Sequence, residues 1–246
     1  MTAKKNTTKH TSARLFHISL ILIKEHIRDT SSFLWTSAAP CILYFIVVRT
    51  SNLPYLKQAG WFYAYISANV AFFGFSFYLI GRRESGFTRS FIYRKGPMLY
   101  FLTAQMISYA LMSLVYASLF YSITKPLHGS YSLQEYTFIL ACFSTSYLGF
   151  TLIGLIIASL PLTFSTAGTL FSLLSFLMLV SSYLGAATVE SQHPVVMLLN
   201  PLIVSTRLFH GDLALGMVFP PLFMLSITAI YLTAKHSRIQ PVWSRY

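Results

Sequence analysis

The sequence predicts an all-α integral membrane protein. It has six transmembrane helices, an N-terminal amphipathic interfacial helix, a short basic, helix-compatible cytoplasmic segment and an extracellular re-entrant helical hairpin. Three observations predict this. The 246 residues are 55% hydrophobic and only 10% charged, against about 25% charged in a soluble domain. Six acidic residues in the whole chain cannot cover a water-facing surface. Apolar runs long enough to cross a bilayer recur along the chain, and basic residues collect at their ends. A net charge of +12 placed in this way speaks for membrane topology and against nucleic-acid binding.

The first unit is 1–30, a basic tail followed by the interfacial helix. Met1–Thr11 is polar and reads as disordered, while Ser12–Asp29 has helical period. Arg14, His17, Lys24 and Arg28 are spaced to share one face, toward headgroups or a partner, with Leu15, Phe16, Leu22, Ile23 and Ile27 on the others. Ile18 and Ile21 fall near the polar face, so the pattern is imperfect; the alternative is a simple extension of the first span. Leu15–Ile23 is short, and Lys24, Glu25 and Arg28 follow where a signal peptidase needs small residues, so no cleavable signal is expected.

Residues 31–234 form the six-span domain. A spanning helix needs about 20 mostly apolar residues. Ser31–Val48, Trp61–Ile80, Met98–Ile123, Tyr136–Leu160, Thr166–Ala187 and Leu213–Ala234 qualify, and none contains Lys, Arg, Asp or Glu. The first is the shortest and carries Pro40, a mismatch that tilt or snorkelling of Arg28 and Arg49 absorbs. Cys41 and Cys142 lie inside spans and read as small buried apolar residues.

The segment 82–95, between the second and third spans, holds Arg82, Arg83, Arg89, Arg94 and Lys95. A short, strongly basic loop is held on the cytoplasmic side. With the N-terminus inside, 14 Lys and Arg fall on the cytoplasmic side and 4 outside. This places both termini, including the 235–246 tail, in the cytoplasm of a multi-pass protein of the cell (plasma or inner) membrane. The segment 194–209 is apolar but broken at Asn200-Pro201. Each half is too short to span, so it reads as two half-helices dipping into the outer leaflet, or else as a loop resting on it.

Chemistry is sparse. There is no phosphate-binding Gly-x-x-x-x-Gly-Lys-Ser/Thr loop, no Ser/His/Asp elbow and no His-Glu-x-x-His signature. The seven histidines are scattered outside the spans, so no metal site is expected. Proton-coupled carriers place Asp, Glu or His in the membrane, and these spans have none. The driving force must come from elsewhere, or the protein is not a pump. Gly154-x-x-x-Ala158, Gly168-x-x-x-Ser172 and Ser181-x-x-x-Gly185 read as helix-packing pairs.

The order of these elements resembles the membrane-spanning subunit of ABC-2 type exporters, over essentially the whole chain. Arg83-Glu84-Ser85-Gly86-Phe87-Thr88-Arg89 is similar to the Arg-Glu-x-Gly-x-x-Arg stretch those permeases carry between spans two and three. Leu199-Asn200-Pro201-Leu202 is similar to their outer Asn-Pro segment, with Arg207 following, and Pro40 fits their first span. One departure is Arg82, where an acidic residue is usual.

The resemblance implies that the chain is not itself an enzyme. It implies a separate ABC ATPase subunit, in two copies, that binds ATP and Mg; this chain would hold no cofactor. A second permease copy, or a related permease, would complete the substrate path in contact with membrane lipid. The segment 82–95 would be the cytoplasmic coupling helix, with Arg83, Glu84, Phe87, Arg89, Phe91 and Arg94 as the ATPase-coupling residues. Phe87 and Phe91 lie four apart on one face and can plug an apolar groove. The arginines can pair with a partner's acids, and Glu84 within the loop or across; the alternative is a basic patch on anionic lipid.

In the family the second and fifth spans line the path, here Phe72, Phe73, Phe75 and Phe77 with Thr169, Ser172 and Ser175. Such a lining suits an amphipathic cargo, although the aromatics also fit core packing. Two other functions compete. One is a stand-alone immunity or sensor protein that binds a toxin or lipid without ATP coupling. The other is a lipid-modifying enzyme, which the lack of intramembrane acids and histidines disfavours.

Overall fold

The computed structural model describes residues 2–47, 53–87, 95–187 and 200–236, with side chains for 15–30, 33–47, 53–87, 100–182 and 200–233. Helices α1 (Thr2–Arg28) and α2 (Thr30–Val47) open the chain. Next come α3 (Tyr55–Asn69), a π-helical segment (Val70–Ser76) and α4 (Phe77–Glu84), which run on as one rod. Then follow α5 (Lys95–Thr124), α6 (Leu133–Ser159), α7 (Phe164–Ala187), α8 (Pro201–His210) and α9 (Leu215–His236). Among the described residues there is no strand.

Five helical stretches are long and apolar enough to cross a membrane: Tyr55–Glu84, Tyr100–His128, Leu133–Ser159, Phe164–Ser182 and Leu215–Thr233. This is a multi-pass membrane protein. The sixth expected span is α2. It reaches that length and hydropathy only together with the end of α1, from which it is bent by 62°. The bend falls at Asp29, whose N–H reaches back to the His26 carbonyl while its own carbonyl accepts from Phe33 N–H. Contrary to the expectation of disorder before Ser12, α1 is helical from Thr2. No Pro or Gly interrupts that stretch.

Cap chemistry explains the other boundaries. Ser132 accepts from Glu135 N–H in a Ser-x-x-Glu box that starts α6. Pro161 follows the end of α6. Asn200 caps α8 with Pro201 in its first turn, and Gly211 closes it at φ +76°.

The rod α3–π–α4 forms the centre of the bundle. Its Tyr63 packs on Phe120 of α5, Phe143 of α6 and Phe209 of α8, and its Phe72 on Phe150 of α6 and Phe171 of α7. Lipid tails are as apolar as these side chains, so close backbone approach supplies the packing. A Cβ at Gly154 would fall 2.0 Å from Ser76 Oγ, and one at Gly74 would fall 2.8 Å from the Tyr109 ring. By contrast, the spanning windows of α7 and α9 are only 17% and 11% buried.

The bundle has two ends. Arg83, Ala158, Leu160 and Leu162 meet at one, here the Arg82 end. Tyr55 meets Thr124, and Lys57 meets Asp212, at the Lys57 end.

Candidate functional site

The second span leaves the bundle through a junction rather than a bare loop. Arg82, Arg83 and Glu84, expected from the sequence to begin a separate coupling helix, form the last turn of α4. That helix ends at the Ser85–Gly86 turn, where Gly86 has φ +76°.

Arg83 does not face outward to a partner's acids as expected. It is 5% exposed. Its Nη1 donates to the Ala158 carbonyl at 2.8 Å and the Leu160 carbonyl at 3.0 Å, and its Nη2 donates to the Leu162 carbonyl. The carbonyls at the end of α6 and along the α6–α7 turn attract a cation; that of Leu160 also accepts from the Leu162 N–H at 2.8 Å. A planar fork of donors serves three of them at once.

Arg82 turns the other way. It ion-pairs with Glu25 of α1, and its Nε donates to the Tyr78 hydroxyl at 2.7 Å. The Tyr78 hydroxyl in turn donates to Glu25 at 3.0 Å. Phe87 packs at a tilt against Phe101 of α5, ring centroids 5.1 Å apart, with Arg82 over its ring. The start of the basic segment is thus tied to α1, α5, α6 and the α6–α7 turn. Glu84 is half-buried in the same turn. Arg89, Phe91 and Arg94 lie outside the described residues.

Helix α1 packs on α5 through Leu15, Ile18 and Leu22 against Phe101 and Ala104. Ser108 Oγ donates to the Ser19 carbonyl at 3.0 Å, and Ser19 Oγ to the Ala104 carbonyl at 3.3 Å. Ile18, which spoils the amphipathic pattern, therefore lies on the face that meets protein. His17, Lys24 and Arg28 are exposed. The side chain of Arg14 lies outside the described residues.

Between this α1–α2 elbow and the rod runs a groove. Two cavities of about 440 and 550 Å³ share His26, Asp29, Phe73 and Gly74 and so adjoin. The first extends along α2 and α3 past Trp35, Pro40, Tyr65 and Asn69. The second extends toward the Arg82 end past Glu25, Phe77, Tyr78, Gln105, Tyr109 and Phe164. His26 Nε2 sits 2.9 Å from the Tyr116 hydroxyl behind it.

The π-helix forms one wall. Its wider turn is accompanied by Ser76 Oγ donating to the carbonyl of Ala71, five residues back, at 2.9 Å. The four phenylalanines expected on a path divide here. Phe73 and Phe77 line the groove, whereas Phe72 and Phe75 are wholly buried in the core. Phe77 is held by Phe164, ring centroids 4.0 Å apart. Thr169 and Ser172 are exposed on α7 and Ser175 is half-buried; none of them lines this groove. The sequence reading missed Glu25, Tyr78, Gln105 and Tyr109. Gln105, the one amide in the expected third span, was the visible signal.

At the Lys57 end, Asn200 does what a break residue must. Its Oδ1 accepts from Leu202 N–H at 2.9 Å, and its Nδ2 donates to the Met178 carbonyl at 3.0 Å and to Ser181 Oγ at 2.7 Å. This fixes α8, the second expected half-helix with Pro201 at its start, to α7. The first half, 195–199, lies outside the described residues. Lys57 donates to Asp212 at 2.7 Å, which holds that carboxyl below its ordinary value. Burial and the Lys57 charge lower His210. Among the described residues no cluster of three or more His, Cys, Asp or Glu is placed to hold a metal.

No family model matches the chain. It is 28% identical over 236 residues to Protein McbE of Escherichia coli, an alignment that covers 92% of this chain and 97% of that protein. The likeness therefore runs along nearly the whole length of both chains and is not confined to one motif.

Proposed function

We propose that this chain is the membrane-spanning subunit of an ATP-driven exporter of the ABC-2 type. It works as a dimer and is moved by a separate ATPase subunit that binds the basic segment after the second span from the cytoplasm. The observation that carries the reading is the junction at Arg82 and Arg83. A soluble partner that pushes on a loose loop moves only the loop. Here the base of that segment is bonded to α1 through Glu25 and to the end of α6 and its turn into α7 through Arg83. A displacement at the segment is passed on to helices on both sides of the central rod.

The six apolar runs read from the sequence carry no acid or base, and a proton cycle would need one within the membrane. An external source of work fits that composition. The groove at the elbow supplies a cavity whose two lobes each fall in the size range of small-molecule sites, and it lies directly against the junction.

The test is affinity purification of the chain in mild detergent. The expected result is a co-purifying subunit that hydrolyses ATP, retained by wild type and lost with Phe91→Asp, while the variant still inserts in the membrane. Full function of the chain with no such companion would favour the stand-alone immunity or sensor reading.

A further inference from the structure

The α1–α2 elbow is the most polar part of the bundle. Lys24, Glu25, Arg28 and Asp29 are exposed there and His26 is half-buried. Glu25 is paired with Arg82, whereas Arg28 has no partner among the described residues. Three spans serve as rulers for the depth of this elbow. His26 packs edge-on against Tyr109 and Tyr116, which straddle the middle of the span Tyr100–His128. His26 and Asp29 share a cavity wall with Asn69 and Val70, the two middle residues of the span Tyr55–Glu84. At nearly the same level Phe72 packs on Phe150 of α6, and further along α6 the Ala158 carbonyl meets Arg83. The stretch of α6 from Phe150 to Ala158 covers about 12 Å and is too apolar to lie in water. The elbow therefore sits about 12 Å inside the Arg82 end, near the middle of a hydrocarbon core about 30 Å thick.

Exposed ionisable groups at that depth do not face lipid tails. An arginine against hydrocarbon is costly, and its stem reaches only part of the way to the headgroups. Such groups line a water-filled cavity instead. The facing wall is polar as well. Asn69 Nδ2 donates to the Tyr65 carbonyl at 3.0 Å, while its Oδ1 keeps accessible surface and has no partner among the described residues. The two adjoining cavities, of about 440 and 550 Å³, each have room for more than one water. At the same depth α9 is different. Its Leu222 lies at Gly149, next to Phe150, and its outward face there is apolar, with Phe219, Phe223, Met224 and Ile227.

We propose that the cleft at the elbow is water-filled within the membrane. It is a hydrated pocket that reaches the middle of the second span and admits small hydrophilic solutes. The proposal goes beyond the exporter reading and does not rest on it.

The test is thiol labelling of the full chain alone, in lipid nanodiscs and without nucleotide, read by intact mass. The probes are one cationic and one anionic methanethiosulfonate, so that charge at the elbow does not decide the result. Both stay out of hydrocarbon and react with the thiolate, which forms where water reaches it. Wild type is the blank, because Cys41 and Cys142 are buried. Asn69→Cys and Phe73→Cys put a thiol on the cleft wall, and Phe223→Cys puts one on the lipid-facing side of α9. With at least one probe, both cleft positions should react at least about tenfold faster than Phe223→Cys.

Labelling of Asn69→Cys by both probes no faster than that of Phe223→Cys would overturn the proposal, whether lipid or a second copy of the chain then fills the cleft. Should Asn69→Cys fail to fold, Phe73→Cys decides in the same way. Because no ATPase subunit is present, failure here leaves the exporter reading standing. Conversely, absence of a companion subunit would not dry the cleft.

Discussion

Replacing Arg83 with Met keeps the aliphatic stem and removes the donor fork. Three charge-assisted hydrogen bonds, to the carbonyls of Ala158, Leu160 and Leu162, are lost. At roughly 1.5–3 kcal/mol each, the gross loss is about 5–9 kcal/mol. Relief of burying a guanidinium returns several of these, and Leu160 is exposed enough for water to serve its carbonyl. The net destabilisation is about 2–4 kcal/mol. A chain of this size loses roughly 2–4 °C of melting temperature per kcal/mol, so the expected drop is about 5–15 °C.

The assay is already built into the protein. Cys41 and Cys142 are both buried and free, so a thiol-reactive dye reports their exposure on heating. Arg83→Lys should fall between wild type and Arg83→Met, since a single ammonium does not reproduce the spread of donors by which the guanidinium reaches three carbonyls. Arg82→Met serves as the control. Its ion pair with Glu25 is substantially exposed, a class worth about 0–1 kcal/mol, and its melting should scarcely change. If Arg83→Met melts with wild type, or Lys replaces Arg without loss, the junction is not held as described.

Two further substitutions test the packing with the same melts. Gly154→Ala should destabilise by about 1–3 kcal/mol, since its Cβ meets Ser76 Oγ at 2.0 Å; adding Ser76→Ala should recover part of this, a coupling that independent sites would not show. Asn200→Ala should cost about 2–3 kcal/mol through loss of the α8 cap and of both bonds to α7. Asn200→Asp, which keeps the cap acceptor but not the donors, should be intermediate.

What the sequence made legible follows from what leaves a local mark. Long apolar runs bounded by charge gave five spans close to their observed extents, because the bilayer imposes a minimum length. Asn200-Pro201 marked the break at which α8 starts, because caps are local chemistry. The direction of side chains on the second span was not legible. That span is apolar all round, so no polar stripe separates core-facing Phe72 and Phe75 from groove-facing Phe73 and Phe77. The π-helical turn at Val70–Ser76 also shifts the angular register, so extrapolation at 100° per residue fails beyond it. Arg83 and Arg82 are adjacent and chemically alike. Only the position of the α6–α7 turn and of Glu25 sends one inward and the other toward α1.

The central claim is that the chain is worked from outside itself through the segment that begins at Arg82. It is tested most directly by reconstituting the chain with its co-purified ATPase subunit in liposomes and measuring ATP hydrolysis. Hydrolysis should depend on the chain and fall at least severalfold with Glu84→Ala or Phe91→Asp, while both variants remain inserted. Hydrolysis indifferent to the chain and to both substitutions would contradict the account.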